Sequence, residues 1–243
     1  MEKKKFVFEV IGAPNFTMLL GIDKVVNAGW VGRDKESLMA HINELKEEGI
    51  PAPETVPICF PILNDRITQE ESIEVFDEAG HSGEAEFVLL FHKGEIYVGA
   101  GSDHTDRRVE VLSVPKSKVF YPNVVSRTAW RYTDVQDHWN SLILRSWITN
   151  SKGVREVYQE DALSSILDPE SLVAFVKQHL QETDDLEGLC IFSGTIPAKI
   201  KIQYSSLWDV QLEDPVLNRS IFLRYECVPA DRWFARRGRG YTY

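Results

Sequence analysis

Two strand-like runs that meet at Lys93-Gly94 constrain this chain more than any other stretch of it. Residues 83–92 and 95–103 are mostly apolar, and a two-residue turn containing glycine between such runs is a hairpin signal. With Lys93-Gly94 as the turn, His92 lies opposite Glu95 and every other pair follows. Phe91 faces Ile96, Glu86 faces Gly101, and Glu84 faces Asp103. Residues two apart on a strand share a face, and so do directly opposed residues. Glu84, Glu86 and Asp103 therefore project from one face of the ribbon, while Ala85, Phe87, Ala100 and Ser102 take the other. Gly99 and Gly101 fall on the acidic face and are expected to leave room beside the acids.

Like charges directly across a ribbon destabilise it. Three carboxylates in one patch must repel, take up protons at higher pH, or recruit a cation. A hard divalent ion with oxygen ligands, Mg²⁺, Mn²⁺ or Ca²⁺, meets that demand. A solvated polar strand face is the commoner fate of a Glu-x-Glu pair, so spacing alone leaves both readings open.

Composition narrows the classes. The chain has 243 residues, 43% hydrophobic and 26% charged, which is enough apolar material for a core and excludes a disordered chain. A net charge of −10 opposes binding to nucleic acid, whose phosphates need a concentrated positive field. No apolar run approaches the ~20 residues that span a bilayer. The start, Met1 to Lys5 followed by Phe6-Val7-Phe8, is interrupted at Glu9, Gly12 and Pro14, and reads as a surface strand behind a charged end. Cys59, Cys190 and Cys227 are odd in number and unrelated in spacing, which points to a reducing compartment; a cytoplasmic protein is expected. Without a Cys-x-x-Cys pair there is no zinc signature.

Around the hairpin the pattern alternates short strands with a few helices. Asp34 caps an expected helix over 35–48, with Leu38, Ile42 and Leu45 as its apolar stripe. Pro51, Pro53, Pro57 and Pro61 then mark an extended connector, dividing a small segment, 1–50, from a larger one, 51–243. Residues 6–11 and 73–76 read as strands, 132–146 as a helix, and a strand pair turns near 151–153. Asp168-Pro169-Glu170 opens a helix over 171–181, and strands are expected at 188–193, 199–204 and 220–227. The fold class is α+β and strand-rich.

Glu84-Ala85-Glu86, the apolar strand after it, and Ser102-Asp103-His104-Thr105-Asp106-Arg107 together resemble the fumarylacetoacetate hydrolase superfamily. The resemblance continues through Ser117-Lys118-Val119-Phe120, Tyr158-Gln159 to Leu167, and Ser193-Gly194-Thr195-Ile196-Pro197, over most of residues 57–210. Upstream, Gly32-Arg33-Asp34 and His41-Ile42-Asn43-Glu44 are similar to an element whose His-Glu pair activates water, although extra residues here separate the arginine from the histidine. The pattern around Asp103-His104 is expected to mark a separate bacterial branch.

What this resemblance implies is a mixed β-sandwich or β-roll whose Glu84, Glu86 and Asp103 hold Mg²⁺ (or Mn²⁺ or Ca²⁺). Catalytic roles fall to Lys118 and to the His41–Glu44 pair, and substrate contact to Arg33, Gly194 and Thr195. His104, where relatives carry an apolar or aromatic residue, is a candidate base, substrate contact or partner of Asp106; a structural histidine fits equally. A surface helix would equally account for His41 and Glu44. The implied function is a metal-dependent hydrolase or lyase acting on a small oxo-acid or sugar acid, acylpyruvate-type C–C hydrolysis foremost. A dehydratase, decarboxylase or tautomerase is the alternative, as is a non-catalytic metal- or ligand-binding domain. The implied partners are a small carboxylate and a second copy of the chain, with no nucleic acid or membrane.

Overall fold

Lys93 and Gly94 form the expected turn, both in the left-handed region at φ 52° and 78°. Positive φ at both positions is the turn geometry whose twist matches two right-twisted antiparallel strands. The structure, a computed structural model, describes residues 3–36, 38–39, 42–43, 53–76, 79–150, 152–182 and 184–234. Fourteen strands among them are β1 Lys4–Val10, β2 Phe16–Ile22, β3 Lys24–Gly29, β4 Ile58–Ile62, β5 Ile67–Thr68, β6 Ser72–Val75, β7 His81–His92, β8 Glu95–Asp106, β9 Asn123–Arg131, β10 Ile143–Thr149, β11 Arg155–Ala162, β12 Leu189–Phe192, β13 Leu207–Asp214 and β14 Arg219–Pro229.

The hairpin β7–β8 keeps one unbroken register from His92 opposite Glu95 to His81 opposite Asp106. It sits near the middle of a nine-stranded mixed sheet in the order β2-β1-β9-β8-β7-β12-β3-β4, with β5 beside β9. A five-stranded sheet, β11-β10-β13-β14-β6, covers one side of it. Both faces of the hairpin are therefore buried. Ala85, Phe87, Leu89, Val98 and Ala100 pack against Trp208, Val210, Leu212 and Tyr225 of the second sheet. Val88, Leu90 and Tyr97 join Phe6, Phe8, Leu20, Cys190 and Phe192 on the other side, where the large sheet curls over itself. This two-sided burial explains why the hairpin reads as nearly continuous apolar runs. The first fifty residues supply β1, β2 and β3 to the same sheet, β1 pairing with β9 and β3 with β12.

Several expected elements take another form. Residues 132–146 are not one helix: Tyr132–Asp134 and Gln136–Ser141 are 3₁₀ turns, and Ile143 begins β10. Residues 199–204 form no strand: after Lys199 N donates to Tyr158 O the chain bends over 199–201 and runs irregularly through 202–204 without a strand partner. The third expected helix runs Pro169–Lys177, ending four residues earlier than its pattern, with Asp168 Oδ1 accepting from Ser171 N at 2.8 Å. The strand pair around Gly153 forms as β10–β11. Asp34 caps the helical start at 35–36 as expected, its Oδ1 3.2 Å from Glu36 N; most of residues 41–52, His41 and Glu44 included, lies outside the described residues.

Candidate metal centre

The unbroken register places Glu84 opposite Asp103 and keeps Glu86 on the same face. One carboxylate oxygen from each lies within 4.8 Å of the others. Glu86 and Asp103 are each only 1% exposed, so these acids are not a solvated strand face. The room expected from Gly99 and Gly101 is not there: a Cβ on Gly101 would collide with Val88 and Phe192, and one on Gly99 would press on Ser126. These glycines admit close core packing; the space beside the acids lies elsewhere, in a cavity of about 770 Å³ lined by Glu84, Glu86, Arg107, Lys118, Tyr158 and Thr195 among others.

Two short helices after β8 bring cations to the acids. Asp106 caps the helix Arg107–Glu110 by accepting from Arg108 N and Val109 N. That cap aims Arg107 back across the strands, where its guanidinium donates to Glu84 Oε1 at 2.9 Å, Glu110 Oε2 at 2.7 Å and Ser82 Oγ at 2.7 Å. The next helix, Val114–Phe120, carries Lys118, whose Nζ bonds Glu84, Asp103 Oδ2 at 2.8 Å and Thr105 Oγ1 at 2.8 Å. Lys118 is among the predicted site residues, whereas Arg107 and Glu110 are not. The signal was present: 107 and 110 are three apart and so neighbours on a helix.

Opposing forces set the charge on each acid. Burial would raise Glu84, but Lys118 and Arg107 outweigh it and hold its pKa down at about 2. Glu86 is driven well above its ordinary value by burial and by the charges of Asp103 and Glu84. Asp103 is raised to about 6 by burial, against Lys118, which lowers it. Lys118 itself is raised, because Asp103, Glu84 and Glu110 overcome its burial. Four carboxylates, Glu84, Glu86, Asp103 and Glu110, thus gather around two cations, Lys118 and Arg107, and burial together with this excess of acids pushes Glu86 and Asp103 toward the protonated form.

The residues present fit a divalent ion. Asp103 Oδ1 is buried with no hydrogen-bond donor among the described residues, an arrangement that is costly unless something else takes the lone pair. The donors are carboxylate oxygens, the set that Mg²⁺, Mn²⁺ and Ca²⁺ select.

The remaining predicted residues divide. Gly194, at φ 83°, donates its N–H to Glu86 Oε2 at 3.0 Å, so it holds an acid in place; a Cβ there would strike Val31. Thr195 Oγ1 donates to Ala85 O at 2.8 Å, accepts from Gln159 Nε2 at 2.7 Å, and lines the cavity. Gln159 also accepts from Ala85 N at 2.9 Å, tying the strand between the two glutamates to the second sheet. Arg33 lies at the cavity wall, donating to Asn140 Oδ1 at 2.8 Å with Asp168 3.5 Å away. His104 is corrected: strand alternation turns it to the opposite face from Asp103, where it meets Tyr225 and His81 instead of the cavity.

Several solved structures share this fold. A 2-keto-3-deoxyarabinonate dehydratase is 16% identical, with 86% of this chain and 74% of that one covered at a TM-score of 0.60. A putative HpcE protein from Mycobacterium smegmatis is 18% identical, with 86% and 76% covered at 0.60. A 2-keto-3-deoxy-D-arabinonate dehydratase complexed with magnesium and 2,5-dioxopentanoate is 14% identical, with 88% and 77% covered at 0.57. The chain thus shares the fold of these structures, a strand-rich architecture of mixed sheets such as the sequence resemblance implied. No curated protein matches the chain. Residues 28–225 match the family described as "Protein of unknown function (DUF2848)", and the chain belongs to that family.

Proposed function

We propose that this chain is a divalent-metal-dependent enzyme acting on a small 2-oxo acid or sugar acid. The observation that carries the proposal is the buried Glu84–Glu86–Asp103 cluster, whose Asp103 Oδ1 has no hydrogen-bond donor among the described residues and whose two glutamates line a cavity of about 770 Å³. Mg²⁺ (or Mn²⁺ or Ca²⁺), when bound, supplies a Lewis acid and a template for a substrate carboxylate and its neighbouring oxygen. Lys118 and Arg107 hold Glu84 ionised and set a positive field where negative charge grows on the substrate's oxo oxygen. Gly194 and Gln159 fix the glutamate strand, and Thr195 and Arg33 offer polar contacts along the cavity. His41 with Glu44 would move the proton, as the sequence resemblance implies.

Two reactions share this charge development. Water attack on an acylpyruvate breaks a C–C bond and releases pyruvate; loss of a C3 proton and the C4 hydroxyl dehydrates a 2-keto-3-deoxy sugar acid. The second reading is favoured by the fold neighbours, two of which are named as such dehydratases. Incubating the Mg²⁺-loaded protein with both substrate classes, and following pyruvate release and loss of water separately, decides between them. Turnover abolished by Glu86→Ala supports an enzyme. Tight Mg²⁺ binding with no turnover on either class leaves a ligand-binding domain and overturns the proposal. Assembly as a homodimer belongs to the same proposal and is read by light scattering.

A further inference from the structure

The reverse face of the hairpin carries a second group of metal-ligating side chains that the carboxylate chemistry does not use. His81 opens β7, His104 lies on β8, and Cys227 lies on β14 of the other sheet. All three are buried. His104 Nε2 is 2.8 Å from His81 Nδ1 and 3.7 Å from Cys227 Sγ, and the three donor atoms lie within 4.8 Å of one another. On a tetrahedral zinc-like ion two nitrogens stand ~3.3 Å apart, and a nitrogen and a sulfur ~3.5 Å. The His81–His104 and His104–Cys227 separations lie about half an ångström or less from those values, while the His81 and Cys227 donors, within 4.8 Å of each other, must draw closer.

The surroundings match those of a ligating histidine. The outer nitrogen of His104, Nδ1, is 2.8 Å from Tyr225 Oη, which is in turn 2.8 Å from Ser102 Oγ. Such a bond on the far nitrogen fixes the tautomer and ring orientation of a metal-bound imidazole.

We propose that His81, His104 and Cys227 form a buried site for a thiophilic d¹⁰ cation, Zn²⁺ or Cu⁺, that joins the two sheets. Two imidazoles and a thiol do not suit Mg²⁺, which takes oxygen ligands. Binding forms two N–metal bonds and one S–metal bond. The Cys227 thiol proton passes to solvent, and the proton now between the rings moves to the outer nitrogen of the ring that carries it. No electron is transferred. The proposal does not rest on the carboxylate reading.

The test uses the full chain, stripped with chelator under reductant and held in excess Mg²⁺ to fill any oxygen site. Co²⁺ is the spectroscopic probe, with Zn²⁺ and Cu⁺ competing in separate arms to decide between them. One tight equivalent with a thiolate-to-cobalt charge-transfer band is expected, lost in Cys227→Ser and kept in Glu86→Gln. Tyr225→Phe should weaken binding by roughly 10–100-fold. Where Cys227→Ser fails to fold, X-ray absorption of the wild-type zinc form serves, with a sulfur expected at ~2.3 Å. Absence of uptake under Mg²⁺, a band that survives Cys227→Ser, uptake lost in Glu86→Gln, or a metal shell without sulfur would each overturn the proposal.

Discussion

One face of the β7–β8 hairpin carries acids and their cations and the other imidazoles and hydroxyls, although the residues concerned are immediate neighbours in sequence. On the first face Glu84 is held at a pKa of about 2 by two cations, while Asp103 is pushed up to about 6 by burial. On the second, Ser102, Tyr225, His104 and His81 make a hydrogen-bonded chain in which burial raises the Tyr225 phenol and lowers the His104 imidazole. The difference is one of balance. The second chain runs its hydrogen bonds between protein groups, whereas the acidic face keeps an acceptor, Asp103 Oδ1, without a donor among the described residues. Substitutions on the two faces should therefore fail in different ways.

The largest effect is expected from Glu86→Gln: turnover falls by roughly 10³-fold and calorimetric Mg²⁺ uptake is lost, while the metal-free protein gains thermal stability because a disfavoured buried charge is gone. Unchanged Mg²⁺ affinity would break the contrast. Lys118→Met leaves Glu84 and Asp103 with less compensation and should destabilise the metal-free protein by ~3–5 kcal/mol in urea, with partial rescue by Mg²⁺.

The pH dependence of Asp103 isolates one acid. Its folded pKa, about 6, lies above the unfolded value of about 3.9, so the folded protein binds more protons in that window and loses stability as pH rises through it. Asp103→Asn lacks this titration. Without metal, the variant should gain on wild type by on the order of 2–3 kcal/mol between about pH 4 and 6 and level off above, as read by denaturation at each pH. A flat difference would mean that Lys118 already neutralises the group.

On the other face Tyr225→Phe removes contacts to Ser102 and His104 and should cost about 1–3 kcal/mol of stability, leaving Mg²⁺ affinity within twofold. The smallest effect belongs to the turn that serves both faces. Lys93 sits at φ 52°, so Lys93→Asn should stabilise by about 0.5 kcal/mol with no change in turnover.

The acidic face was legible because strand period, turn chemistry and a carboxylate pattern are all local, and they agree on one register. Asp168 and Asp34 were legible as caps for the same reason. Elements decided by distant contacts were not. Tyr132, Val135, Trp139 and Leu142 repeat with helical spacing, yet each is buried along 3₁₀ turns that lead into β10. Lys199 to Tyr204 alternate like a strand but find no ladder. His104 could not be oriented from its own neighbourhood, since what it touches includes Tyr225 and Cys227, brought over by β14 more than a hundred residues later. Glu110 carries no motif of its own, and only its pairing with Arg107 brings it to the site.

Asp103 lies nine residues beyond the hairpin tip, roughly 30 Å along the strand. Deleting one residue at that exposed tip would slide β8 by one step against β7 and turn its side chains over. His104 would then stand among the glutamates and Asp103 among the aromatic rings. The address of the candidate metal centre is thus written at the far end of the hairpin, and a chain could scatter that acidic cluster without altering any of its three carboxylates.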